Sequence, residues 1–155
     1  MKTSWFRICA ILALGLATCQ MTLHAQEGSG LLGTWNVTVT VVNCQTGAPI
    51  RTVHSLQMYS LGGSFTETAN TALRGISEGV WTNNGGQNYT AHYWFYRYNP
   101  DGSFASFAQA TNKVTLGDNG TFTAVGIIDD AWANGTNTVG CVSQTGTRLA
   151  SSLSQ

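Results

Sequence analysis

The sequence predicts an all-β protein, an eight-stranded antiparallel up-and-down barrel. Three observations carry this. Apolar residues recur with a period of two and no long helical pattern is present. Turn residues punctuate the chain at short intervals, with 18 Gly in 155 residues. Pairing the last strand with the first keeps one mostly apolar set on one side, and closing the sheet removes its two edges.

The first strand opens at Gly33. Along 34–41, Trp35, Val37, Val39 and Val41 share one face, and Thr34, Asn36, Thr38 and Thr40 share the other. That is the pattern of a half-buried strand. Gly62-Gly63 separates strand 52–61 from 64–70, and Asn84-Gly85-Gly86 separates 76–83 from 88–99. Asn99-Pro100-Asp101-Gly102 is a turn in which Pro sets φ and Gly takes the left-handed position. Asp118-Asn119-Gly120 and Asn134-Gly135 carry Asn-Gly hairpin signals and delimit the last three strands, ending with 138–149. The join at 69–75 has the weakest signal. A two-sheet sandwich fits the same alternation and is the alternative architecture.

Closure can be tested by parity. If strand 138–149 pairs with the first strand so that Cys44 lies opposite Cys141, Arg148 falls diagonal to Trp35 on the same face. One register then allows both a disulfide and a cation–π contact; two unpaired thiols are the alternative for the cysteines. With Trp35 inward, Val142, Gln144, Gly146 and Arg148 also point inward. Pairing carried backwards across Asn134-Gly135 sends Thr123, Val125, Ile127 and Asp129 inward, across Asn119-Gly120 Phe104, Ser106, Ala108 and Ala110, and across Asn99–Gly102 Ala91, Tyr93, Phe95 and Arg97. Small Ser106 and Ala108 then face large Phe95 and Tyr93. Across Gly62-Gly63, Glu67 comes opposite Met58, with Leu56 and Phe65 inward.

Gly33-Thr34-Trp35 at the start and Thr147-Arg148-Leu149 at the end resemble the calycin group of barrels, which includes lipocalins, fatty-acid-binding proteins and avidins. The resemblance implies that Trp35 and Arg148 pack together at the closed end of a lipocalin-like barrel. The second lipocalin motif, a Thr-Asp-Tyr-like turn, is replaced by Gly117-Asp118-Asn119-Gly120. Neither avidin's biotin-contacting pattern nor the catalytic residues of allene-oxide-cyclase barrels map onto this chain. Fold similarity alone does not license a function.

The N-terminus reads as an export signal. Lys2 and Arg7 precede an apolar stretch, 8–17, and Leu23-His24-Ala25 supplies a small residue at the cut. Cleavage is expected after Ala25, leaving one domain over 26–155. A lipoprotein cut before Cys19 is the alternative, with Thr18 a poor residue at that position. The mature chain has five basic and seven acidic side chains, a formal charge of −2, and only Cys44 and Cys141 as cysteines. Export to an oxidising compartment, secreted or periplasmic, suits a disulfide between them.

Composition excludes several function classes. Charged residues make up 9% of the chain and apolar residues 43%, which fits neither a disordered chain nor a basic nucleic-acid binder. No apolar run reaches the roughly 20 residues of a membrane span. No Ser-His-Asp elbow, phosphate-binding loop or zinc-ligand spacing occurs, and His54 and His92 stand apart, so no metal or other cofactor is expected.

The expected site is the barrel interior. Tyr93, Phe95, Phe104 and Ile127 would line an apolar pocket, with Arg97, Asp129 and Glu67 as polar anchors for a small, apolar ligand. Mutual pairing of these charges in a filled barrel is the competing reading. Outside, Trp94, Tyr96, Tyr98 and Phe107 form an aromatic wall suited to a homo-oligomer or partner. Three functions remain open from sequence: a non-catalytic ligand-binding barrel, a cyclase- or isomerase-like barrel using Glu67 or Asp129 on a lipid-type substrate, and an interaction module with a filled core. Internal cavity size separates the first two from the third.

Overall fold

The computed structural model describes residues 30–149. The expected leader at 1–25 and its cleavage site lie outside them. Eight strands follow in order: β1 (Gly33–Val42), β2 (Pro49–Tyr59), β3 (Ser64–Ala69), β4 (Ser77–Gly85), β5 (Asn88–Tyr98), β6 (Phe104–Leu116), β7 (Thr121–Trp132) and β8 (Asn137–Arg148). Each pairs antiparallel with its neighbours, and β8 pairs with β1 to close the barrel. The eight-stranded up-and-down barrel is therefore as the alternation and turns predict, and the sandwich is excluded. The architecture is consistent with a calycin-like fold.

One end is shut by aromatic packing. Trp35 is fully buried, and its indole N–H donates to the Leu31 carbonyl at 2.9 Å. The Arg148 guanidinium lies 4.3 Å from the Trp35 ring and donates to the carbonyls of Gly30 and Leu32. Phe122 meets Trp35 edge-on with centroids 5.0 Å apart, and Tyr59 and Phe65 extend the stack inward. Burial lowers the pKa of Arg148 from its usual value, yet Nη1 and Nη2 each donate to a backbone carbonyl. The guanidinium thus ties the approach segment to the last strand.

The opposite end carries the β1–β2, β3–β4, β5–β6 and β7–β8 connections. Cys44 and Cys141 are joined, with Cα atoms 5.2 Å apart. The β1–β8 register differs from expectation by two residues. Trp35 lies directly opposite Arg148, and Cys141 lies opposite Val42, so Cys44 reaches the bridge from the turn beyond β1. A shift of two preserves parity, and the predicted inner set of β8 holds: Val142, Gln144 and Gly146 are buried.

β7 is turned over relative to expectation. Phe122, Ala124, Ile128 and Asp130 face inward, whereas Thr123, Val125, Ile127 and Asp129 face solvent. The cause is turn length. The Trp132 N–H donates to Thr136 and Gly135 N–H to Trp132, with Gly135 at φ +84°, so three residues, not two, span the hairpin. That is a turn closed by a left-handed glycine bulge, and a one-residue slip exchanges the faces of a strand. The β6–β7 hairpin is also three residues long, closed by Gly117 N–H on Thr121. Its slip cancels the first, so β6 regains the expected face, with Ser106, Ala108 and Ala110 buried.

The β2–β3 hairpin repeats the effect. Ser60 N–H donates to Ser64 across Leu61-Gly62-Gly63. Ser55, Gln57 and Tyr59 therefore point inward, Leu56 and Met58 point outward, and Glu67 pairs with Gln57 rather than Met58. At β5–β6, a three-residue loop and a bulge at Ala105 add to a shift of two. Phe95 then faces Ala108, and Tyr93 faces Ala110, large against small as expected but two residues along. Phe104 lies on the turn side of the bulge and is 48% exposed, contrary to the inward placement.

Candidate functional site

The interior below the open end is filled by side chains. Tyr59, Phe65, Tyr93 and Phe95 are almost completely buried, with Phe65–Tyr93 centroids 4.7 Å apart. Burial pushes the phenol of Tyr59 well above its ordinary pKa, and burial with the nearby Glu67 charge does the same to Tyr93. Both hydroxyls stay protonated and donate or accept within the core: Tyr59 Oη donates to Gln57, and Asn112 donates to Tyr93 Oη.

Two ion pairs lie across this interior. Glu67, 1% exposed, accepts from Arg74 Nη2 at 2.5 Å, from Ser77 Oγ at 2.9 Å and from Gln57 Nε2 at 3.3 Å. Gln57 in turn donates to Gln144. Arg97 is held side-on by Asp130, Nε to Oδ1 at 2.7 Å and Nη2 to Oδ2 at 3.1 Å, and Ser106 donates to the same carboxylate. The carboxylate facing Arg97 is thus Asp130, because the β7 slip sends Asp129 outside.

Arg74 comes from the segment least legible in the sequence. Residues 73–75 add a short edge to β5: Gly75 N–H donates to Tyr96, Tyr98 N–H to Leu73, and Arg74 bridges to Arg97. This directs Arg74 into the mouth of the barrel, 3.7 Å above the Phe95 ring, with Arg97 5.0 Å from the same ring. The ring face offers negative charge to both.

Above these groups lies a cavity of about 50 Å3. Val39, Val41, Val53, Leu73, Ile128 and Val142 form its apolar wall, and Arg51, Arg74 and Arg97 are its charged lining. The described residues carry five cationic side chains, Arg51, Arg74, Arg97, Lys113 and Arg148. Three of the five therefore meet at this mouth, against two carboxylates. Arg74 Nε is buried and has no hydrogen-bond partner.

The expected site residues thus divide. Glu67, Tyr93, Phe95 and Arg97 lie inside; Tyr93 and Phe95 are packed below the cavity, and only Arg97 lines it. Phe104, Ile127 and Asp129 lie on the outer surface. Arg74, Asp130, Gln57 and Ser77 were missed. The available signal was charge scarcity: in a chain with so few cations, the one charged residue of the 70–76 connection needs a carboxylate.

On the outer wall, Tyr96 meets Phe104 and Phe107 with centroids 6.1 and 5.5 Å apart. Tyr96 and Phe107 are exposed, whereas Trp94 and Tyr98 are half-buried. No group of three or more potential metal-binding side chains occurs among the described residues, nor does any helix long and apolar enough to cross a membrane.

Fold and site together define a small, disulfide-stapled, closed antiparallel barrel with an arginine-lined mouth. Neither a protein-family model nor any curated protein matches the chain.

Proposed function

We propose that this protein is an exported, calycin-like barrel that binds a small anionic molecule at its open end without transforming it. The observation that carries the reading is the gathering of Arg51, Arg74 and Arg97 around one apolar-walled cavity. Arg74 and Arg97 are oriented by Glu67 and Asp130 and keep N–H donors beyond those used in the pairs. Arg51, exposed on the rim, adds the uncompensated charge. About 50 Å3 suits a carboxylate-sized head group, so an apolar tail would rest on Val41, Val53 and Leu73 rather than enter the core. The disulfide is compatible with export.

Catalysis has less support. Glu67 is neutralised by Arg74 and does not line the cavity, and Asp129 faces outward, so neither carboxylate is placed to move a proton on a bound lipid.

Calorimetry with butanoate and butanol on the mature protein tests the binding reading. Butanoate is expected to bind, and Arg51→Gln to weaken it about three- to tenfold, the scale of one charge-assisted contact. Binding unaffected by Arg51→Gln and by Arg97→Gln would contradict the site.

The exposed Tyr96–Phe104–Phe107 cluster favours a second reading, self-association through the outer wall. Light scattering should then report a dimer that Phe107→Glu returns to monomer; a monomer at high concentration removes this reading.

A further inference from the structure

A second concavity lies outside the barrel, and of its lining only Val142 also borders the mouth cavity. Its volume is about 630 Å3, within the roughly 300–1,000 Å3 range of small-molecule pockets. One wall is the end of β1 at Val42 and the β1–β2 connection at Gly47; the floor is the outer face of β6–β8, with Val125, Ile127 and Cys141. Cys141 points outward beside Ile127, so the bond to Cys44 holds that connection over the outer wall. The groove is therefore built by a covalent tie. Val125 and Ile127 are 63% and 44% exposed, large apolar side chains left in water by the three-residue β7–β8 turn.

Lys113 is the charged residue of this lining, two positions along β6 from Thr111. It takes part in no ion pair among the described residues. An apolar trough with one uncompensated cation is complementary to a molecule with a hydrocarbon body and a single anionic head.

We infer that this outer groove is a binding site for a single-chain anionic amphiphile, its chain lying on Val125 and Ile127 beneath the β1–β2 connection and its head paired with Lys113. The two linings share Val142 alone; Lys113 belongs to one and Arg51 to the other, so substitution of either cation leaves the other's charged lining intact.

The probes are octanoate, octanol and octylammonium, followed by calorimetry and by amide NMR shifts on the oxidised protein. Octanoate is expected to move the amides of Thr111, Val125 and Ile127 and to bind at least tenfold more tightly than octylammonium. Lys113→Gln should weaken octanoate about three- to tenfold while leaving octanol unchanged. Ile127→Asp, an exposed substitution that keeps the barrel folded, should abolish the shifts. Cys44→Ser with Cys141→Ser should also weaken binding by freeing the groove wall. Equal binding of octanoate and octylammonium would overturn the head-group assignment. Octanoate shifts confined to the Arg74 and Arg97 region, or a groove occupied by a second copy of the chain and closed to all three probes, would overturn the site.

Discussion

Glu67 shows how a buried carboxylate can be both misread and correctly placed. Its inward direction follows from alternation with Phe65, yet its partner could not be read, because Arg74 reaches it from a connection without a periodic signal. With side-chain exposures of 1% for Glu67 and 10% for Arg74, the pair is shielded from solvent screening. Glu67→Gln leaves the guanidinium uncompensated and should cost about 3 kcal/mol in a urea titration. An unchanged midpoint would mean that the Arg74 charge is balanced elsewhere. The buried tyrosines set the response to alkali. Tyr59 and Tyr93 have raised folded pKa values, so the folded state keeps protons that the unfolded chain releases near its ordinary value of about 10. Their contribution is fully present below pH ~10 and is lost as pH rises above it. The melting temperature should hold through neutral pH and fall above pH ~10, with phenolate absorbance from these two residues appearing only as the barrel opens.

At the level of the element, strand existence was legible and strand orientation was only partly so. Alternation locates β1, β5, β6 and β8 within a residue or two and assigns most of their inner faces. β2 and β7 come out inverted because their neighbouring turns hold three residues where Gly-Gly and Asn-Gly dipeptides suggest two. The same loss of one residue removed Asp129 and Ile127 from the interior and hid Asp130. Composition of a turn identifies the turn; its length depends on which residue takes the left-handed bulge position. Inward glycines record the outcome. A Cβ on Gly146 would overlap the Phe122 ring, and one on Gly79 would overlap the backbone of His92 and Tyr93. Gly146→Ala should therefore destabilise the barrel by about 1–3 kcal/mol by overpacking the closed end, measured as a lower denaturant midpoint. A neutral effect would require Phe122 to have room that its buried contacts with Trp35 and Tyr59 do not suggest.

For the whole molecule, closure rests on the β1–β8 ladder, which runs from Trp35–Arg148 to Val42–Cys141, with the disulfide just beyond its open-end limit. The ends of this ladder were visible in the sequence as Trp35, Arg148 and the two cysteines; the register was displaced by two because Cys44 bridges from a turn rather than a ladder position. Reduction should lower stability by about 2–4 kcal/mol while leaving the strand spectrum intact, since the ladder does not depend on the sulfurs. Loss of all β structure on reduction would place closure in the disulfide instead. The filled interior was the feature least available to sequence reasoning. Parity gives the face on which a side chain lies, whereas cavity volume depends on how Tyr93, Phe95, Arg74 and Tyr59 share the space.

Amide NMR mapping of butanoate on the oxidised protein tests the open-end anion site most directly. Shifts concentrated at Leu73, Arg74, Arg97, Ile128 and Val142, diminished in Arg51→Gln, are the expected result. Shifts at Trp35, Tyr89 and Phe122, or no shifts at saturating butanoate, would contradict an anion site at the open end.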